Sequence, residues 1–537
     1  MKKIQKTCAL LLGLTTCISC FGACGNPNES YDPADPSQIK VVVSNLGYGY
    51  QWTLDIAKAY EATHPGKKVE VEDTVMSSTL ISQMEAGGFI GDVCMFDDIK
   101  IWKYWRDDLM TQLDDVVNAT PEGESESIEQ KTNQTLINAY KVDDGHYYSV
   151  PWNNENLAMC YNKTVLNELF GEGQWSLPRT TQEMFDMCES VKDTAYGFVW
   201  SGTYFDLVGQ TWAAQYTGYE EYCNYQQGYY LGTDGVWYLS DNAQCVEQNV
   251  GLLRMMEVIE TAVKRYGHQY GNNMSHIQAQ ANLVGIPYVS TDKKPIMFTP
   301  VGDWVYEETS EEIESTGHKL GFMKTPVISS IVEKMSFWNE SEGVTYNTLS
   351  ATKKASYDAK LCALVDYADA KYAGTNPEKP QGVTDEDIER VVEARQIITG
   401  KSQAQAFIPK NSTKTELAKD FLVFMASDMA VEIFSKATNG YSPYIDVDGY
   451  KNINYENNDF MNEDREVLAS SPLRVISAFK GLRQSGYNIP LLDKYPLALA
   501  RDTAQVKFND ELAEIRGIWD DVLKNAGMAN LAGQPKQ

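Results

Sequence analysis

Histidine is scarce. The 537 residues hold five, at positions 64, 146, 268, 276 and 318, and none stands in an H-E-x-x-H or related cluster. Cysteine is thin beyond residue 24. The six that follow (Cys94, Cys160, Cys188, Cys223, Cys245, Cys362) lack metal-ligand spacing and are too sparse for a disulfide scaffold. Cys223 and Cys245 flank a turn-rich segment, which leaves one bridge open. Basic residues number 46 against 74 acidic ones, for a formal net charge of −28. That balance argues against a nucleic-acid partner, which needs Lys and Arg to neutralise phosphates. There is no nucleophile elbow and no phosphate-binding loop. Gly47-x-Gly49 follows a candidate strand, but Trp52 stands where a dinucleotide fingerprint needs its third glycine. A plain turn, or a ligand loop carrying Tyr48, Tyr50 and Trp52, is the better reading. With so many carboxylates chance pairs are certain, so pairs alone do not argue for a glycosidase. A secreted glycoside hydrolase, its site assembled from unlinked residues, is the alternative from another class.

The N-terminus is rich in what the rest lacks. Lys2, Lys3 and Lys6 precede a mostly apolar run over 7–23, "TCALLLGLTTCISCFGA". That run falls short of the ~20 apolar residues of a membrane span. It has the three parts of a secretory signal: basic start, short apolar core, small residues at the cut. Small residues directly before Cys24 resemble a bacterial lipoprotein signal, although Phe21 stands where Leu is commonest and Cys20 is a second candidate. The resemblance implies that Cys24 receives lipid and becomes the new N-terminus after 1–23 is removed. Each buried methylene contributes ~0.8 kcal/mol, and two acyl chains hold a protein stably on a membrane. The chain is then expected on the outer face of the cell membrane, with 24–38 as a flexible tether.

Beyond the tether, "IKVVVSNL" (39–46) reads as a strand, a helix follows from about Thr53, and Pro65-Gly66 stops it. "KKVEVEDT" alternates as a second strand, "SSTLISQMEA" fits a helix, and "GDVCMF" is a third strand. Alternating short strands and helices predict an α/β fold with parallel, doubly wound sheets, in which loops at the carboxyl ends of strands build ligand sites. Thr180 with Glu183 predicts a capping box at a helix start. The segment "IDVDGYKNINYENND" (445–459), around Asp446 and Asp448, is rich in oxygen ligands but lacks EF-hand spacing, and an ordinary acidic loop is the better reading.

Four segments stand in a telling order: "GDVCMFDDIKIWKYWRDDLMTQLDD", "VPWNNENLAMCYNK", the strand ending "GDW", and "PKNSTKTELAKDFLVFMAS". Together with the signal they resemble the extracellular solute-binding proteins of ATP-driven importers, in the family of maltose- and oligosaccharide-binding proteins. The likeness covers about 38–325 and 400–445. It implies a two-lobed periplasmic-binding-protein-like fold with ligand at the hinge. Lobe 1 would hold 39–150 and return at about 395–438. Lobe 2 would hold 151–325 with C-terminal helices from 439–537, and 326–394 would be a helical insertion. The implied function is binding, not catalysis: capture of an oligosaccharide by lobe closure and delivery to a membrane permease, by a monomer with no cofactor and no metal. Peptides and polyamines are the rival solutes. Sugars offer apolar ring faces and polar rims, which aromatic rings and polar side chains match. Carried over by segment, the ligand contacts are Trp304 after the "GDW" strand, Phe96, Asp97, Asp98 and Lys100 after the third strand, and Asn154 and Glu155 past Pro151. Tyr204 in "VWSGTYFDL", Tyr441 in "NGYSPY" and the loop tyrosines Tyr48 and Tyr50 complete the set.

If Cys24 carries lipid, Cys24→Ser is expected to release or misprocess the protein. Detergent partitioning and the mass of the N-terminal peptide check this. A wild-type protein found only in the medium, without acyl mass, would remove the anchor.

Overall fold

The computed structural model describes residues 31–536 apart from 46–47, 98, 100, 143, 202–203, 340, 342, 402–403, 446–457 and 477–494. Cys24, the signal, Asp98, Lys100, Asp446 and Asp448 therefore lie outside the described residues. Valine-rich β1 (Gln38–Ser44) is buried along Val41, Val42 and Val43 because strands flank it on both sides. It pairs in parallel with β2 (Lys68–Thr74) and with β3 (Val93–Phe96). The helix Gln51–Thr63 makes the β1–β2 crossover, buries Trp52, Ile56, Ala57 and Tyr60, and ends two residues before Pro65. β4 (Val150–Pro151) joins the far side of this sheet.

The chain then crosses. β5 (Glu155–Asn162) is the centre of a second sheet, flanked by β9 (Ile296–Gly302), which also pairs with β6 (Tyr196–Phe198). β7 (Tyr229–Leu231) and β8 (Trp237–Leu239) form a separate hairpin. The other edge of β5 is shared end to end by β10 (Leu320–Met323) and β11 (Ile397–Lys401). β12 (Gln405–Phe407) returns to the first sheet between β3 and β4, and β13 (Leu473–Ile476) closes the second sheet beside β11. The architecture is α/β and two-lobed, but both sheets are mixed. β5–β9, β5–β11 and β3–β12 are antiparallel, since strands that arrive by crossing between lobes need not follow the βαβ rule. The return to the first lobe, expected at about 395, comes only after Lys401. β11 still pairs with β5, and Gln405 is the first residue back opposite Phe96.

Each lobe has its own core. In the first, Val41, Val43, Val93 and Met95 face one apolar layer, while Val42, Cys94 and Phe96 face the other. In the second, Leu157, Met159 and Tyr161 alternate with Ala158 and Cys160 in the same way. The segment 326–394 packs against the second lobe. Its helices Ala351–Tyr372 and Asp385–Gln396 bury Leu361, Val365 and Val391 with Trp212 of the helix Tyr204–Thr217. In the tail, the helix Asp459–Ala469 lies on β10. The helix Ala504–Asn525 lies on the helix Val250–Thr261, with Trp519 Nε1 donating to Ser240 O at 3.0 Å. Thr180 caps its helix by accepting from Glu183 N. The reciprocal half of the box is absent, because Glu183 turns to the backbone and guanidinium of Arg179 instead. All six described cysteines are free thiols, so Cys223 and Cys245 form no bridge.

Two expected ligand contacts are core residues. Phe96 is fully buried and packs edge-on against Phe407, with ring centroids 5.8 Å apart. Strand alternation puts its ring in the same apolar layer as Val42 and Cys94. Tyr441 is also fully buried among second-lobe residues, and its hydroxyl donates to Met461 O at 2.9 Å. Phe96→Ala is therefore expected to leave a cavity costing ~3–5 kcal/mol of stability, seen as a lowered denaturation midpoint without a specific loss of solute affinity.

Candidate functional site at the interlobe seam

The carboxyl ends of β1 and β9 meet where the lobes touch. After β1, Gly49 takes a φ of +63°, which suits glycine, and the chain turns into the helix at Gln51. That turn sets Tyr48 at the seam, half-buried against Phe434, with its hydroxyl donating to Asp303 Oδ1 of the other lobe at 3.3 Å. Tyr50 is half-buried against the first-lobe core. Trp52 is not a loop ring. It is 1% exposed, stacked on Trp152 at 5.3 Å, and its Nε1 donates to Gly49 O at 3.1 Å.

β9 delivers Gly302, Asp303 and Trp304. The Trp304 ring lies so close over Gly302 that a Cβ there would sit 2.0 Å from it, so the position tolerates only glycine. Trp304 is 5% exposed, and its ring stands 5.5 Å from that of Tyr204. Tyr204 in turn lies 5.0 Å from the His276 ring, whose Nε2 is 2.6 Å from Glu308 Oε2. Register Leu157↔Gly302 places Asn156 beside Asp303. Asp303 N donates to Asn156 O at 3.0 Å, and Asp303 Oδ2 accepts from Asn156 N at 3.1 Å and Nδ2 at 3.2 Å.

The crossing from β4 to β5 forms the floor. Asn153, Asn154 and Glu155 are all buried there. Asn154 N donates to Tyr441 O at 3.0 Å, so Tyr441 positions the crossing through its backbone. Trp152 Nε1 is buried without a hydrogen-bond partner among the described residues. Asp97 is half-buried at the end of β3.

Three contributors escaped the sequence reading. Asp303 stands inside the "GDW" segment, where the resemblance points only to the tryptophan. Asp464, on the helix Asp459–Ala469, and Arg474, on β13, come from the tail, where no motif marks them. Arg474 Nη1 donates to Asn156 Oδ1. Glu155, Asp303 and Asp464 are buried near one another, with Arg474 beside Asp464. Burial, and then the Glu155 charge, pushes Asp303 up to about 7. Burial, and then Asp303, pushes Asp464 well above the carboxylate range. The Tyr48 phenol is also pushed up, by burial first and then by Asp303, so it stays a donor. No group of three or more His, Cys, Asp or Glu among the described residues is arranged to hold a metal ion.

The seam therefore offers flat rings and buried polar groups drawn from two separately packed lobes. Comparison with curated protein sequences gives no significant match. Among solved structures, RafE of Streptococcus pneumoniae in its apo form matches with a TM-score of 0.57 at 12% identity, over 91% of this chain and 100% of that one. RafE in complex with raffinose matches with a TM-score of 0.54 at 12% identity, over 90% and 99%. A cyclo/maltodextrin-binding protein complexed with maltotetraose matches with 0.53 at 14% identity, over 92% and 99%. At these identities the likeness is one of fold. The family model of bacterial extracellular solute-binding proteins matches residues 44–369, more than half of the sequence. The chain belongs to the bacterial extracellular solute-binding proteins.

Proposed function

We propose that this protein is the solute-binding component of a carbohydrate importer driven by ATP hydrolysis. It captures an oligosaccharide at the seam, closes its lobes on it, and delivers it to a membrane permease while held at the membrane by lipid on Cys24. The observation that carries this reading is the makeup of the seam. Tyr48, Tyr204 and Trp304 bring aromatic faces from both lobes beside the amides and carboxylates of Asn154, Glu155 and Asp303. Rings cover the apolar faces of sugars, and polar side chains meet their hydroxyls. RafE with raffinose and the maltodextrin-binding protein with maltotetraose share the fold, which supports a sugar as the solute. No helix among the described residues is long and apolar enough to cross a membrane, so the permease is a separate partner in this reading. The family binds solutes rather than transforming them. The buried carboxylates favour a polyamine or basic peptide as the second reading.

A thermal-shift screen over oligosaccharides, peptides and polyamines separates the solutes, and titration calorimetry measures the hit. Stabilisation by a polyamine or peptide, with none by any oligosaccharide, would overturn the sugar reading.

Trp304→Ala is expected to weaken binding of the oligosaccharide hit by about 2–3 kcal/mol, roughly 30- to 150-fold, from lost apolar contact. Trp304→Phe should recover part of it. Because Trp304 is almost fully buried between Gly302 and Tyr204, the alanine variant should also melt lower without solute. A lowered melting temperature with unchanged affinity would take Trp304 out of the site.

A further inference from the structure

The stretch expected to be a flexible tether up to residue 38 is docked on the first lobe from Tyr31 onward. The Tyr31 ring stacks on Phe89 at 5.9 Å, with the planes 6° apart. Lys414 Nζ lies 4.3 Å from the centre of the same ring and donates to Asp32 O at 3.1 Å. The Tyr31 hydroxyl donates to Asp92 Oδ2 at 2.9 Å. Asp92 is fully buried, and it also accepts from Lys40 N at 2.9 Å and Ser412 Oγ at 2.7 Å. Burial, and then the bond to Asp92, pushes the Tyr31 phenol up, so it stays a donor. Asp32 N donates to Gln38 Oε1 at 2.9 Å, which ties the segment to the start of β1.

This clasp sits at one end of the first lobe. β1, β2 and β3 are parallel and begin together there, at Gln38, Lys68 and Val93. They run from that end toward the seam, which β1 reaches past its carboxyl end, at Tyr48. Cys24 is seven positions before Tyr31, and seven residues reach at most ~25 Å. β1 is seven residues long, so the sheet is itself ~20 Å deep between its two ends. A lipid tether clasped at Tyr31 is nearly used up in running back along the sheet, before it passes the loops at the seam.

We propose that the Tyr31 clasp holds the strand-start end of the first lobe toward the membrane and the seam away from it, open to incoming solute. This rests on lipid at Cys24, as proposed above, and not on the solute being a sugar. Release of the clasp extends the free tether to residue 37, roughly doubles its reach and lets the lobe turn.

Energy transfer from the lipid-bearing protein to vesicles of phosphatidylcholine and phosphatidylglycerol, with the acceptor dye on the headgroups, tests the posture. The donor dye is placed through Lys67→Cys, exposed at the start of β2, or through Val75→Cys, 76% exposed just past its end. The two sites are roughly 25 Å apart along the strand. Transfer is expected to be greater from 67 than from 75. Tyr31→Ala, which removes ring and hydroxyl, is expected to lose most of that difference, and Phe89→Ala part of it. Equal transfer from both sites, or more from 75, would overturn the proposal. So would a difference that Tyr31→Ala leaves intact. If Tyr31→Ala does not fold, Phe89→Ala decides in the same way. Absence of acyl mass on the N-terminal peptide removes the anchor and the posture together, whereas acyl mass with equal transfer removes the posture alone.

Discussion

The antiparallel pairing of β5 with β9 is the contact on which the seam depends. In register Leu157↔Gly302, the strands bring Asn156 against Asp303, and the two residues exchange backbone and side-chain hydrogen bonds. β5 begins where the chain has just crossed from the first lobe, and β9 ends where the lobes touch. One ladder therefore fixes both the floor of the seam and the aspartate that answers Tyr48. The same ladder explains Gly302, because the Trp304 ring occupies the space a side chain would need. Slipping the register by one residue would turn Asp303 to the opposite face of the sheet.

The division of apolar packing gives this arrangement its freedom. Each sheet carries its own apolar layers on both faces, so parting the lobes need not open either core. Several of the contacts that cross are polar. Tyr48 reaches Asp303, Asn439 Nδ2 donates to Glu307 Oε2 at 3.4 Å, Asn133 Nδ2 donates to Pro472 O at 3.2 Å, and Arg106 Nη2 donates to Ala526 O at 2.8 Å. Hydrogen bonds traded for water change stability by only about 0.5–1.5 kcal/mol each. An interface of that kind can be biased by a solute that binds one arrangement better than the other.

The strands of the first lobe were legible because valine runs and alternation report burial directly: β1, β2 and β3 stand where the pattern puts them. The place where the chain goes back to the first sheet is not marked in the sequence, because β11 and β12 are both short and differ only in the strand each pairs with. Among the candidate site residues, Tyr48, Asn154, Glu155, Tyr204 and Trp304 gather at the seam. Phe96 lies in a first-lobe apolar layer and the Tyr441 ring in a second-lobe one, with only the Tyr441 backbone reaching the crossing, because an aromatic ring at a strand end or in a loop reads the same whether it faces a core or a cleft.

Sequence alone therefore determined what periodicity and composition encode: an α/β chain, its first three strands, a signal-like start, and segments in the order of a solute-binding family. Tertiary structure decided which side chains share a neighbourhood. Asp464 and Arg474 lie 161 and 171 positions past Asp303 in the numbering of one chain, in a tail without a motif. Only the packing of the helix Asp459–Ala469 on β10, and of β13 beside β11, brings them to the β5–β9 ladder. Asp303 and Asp464 are pushed up there, because burial and a neighbouring charge are properties of the folded neighbourhood rather than of any one residue.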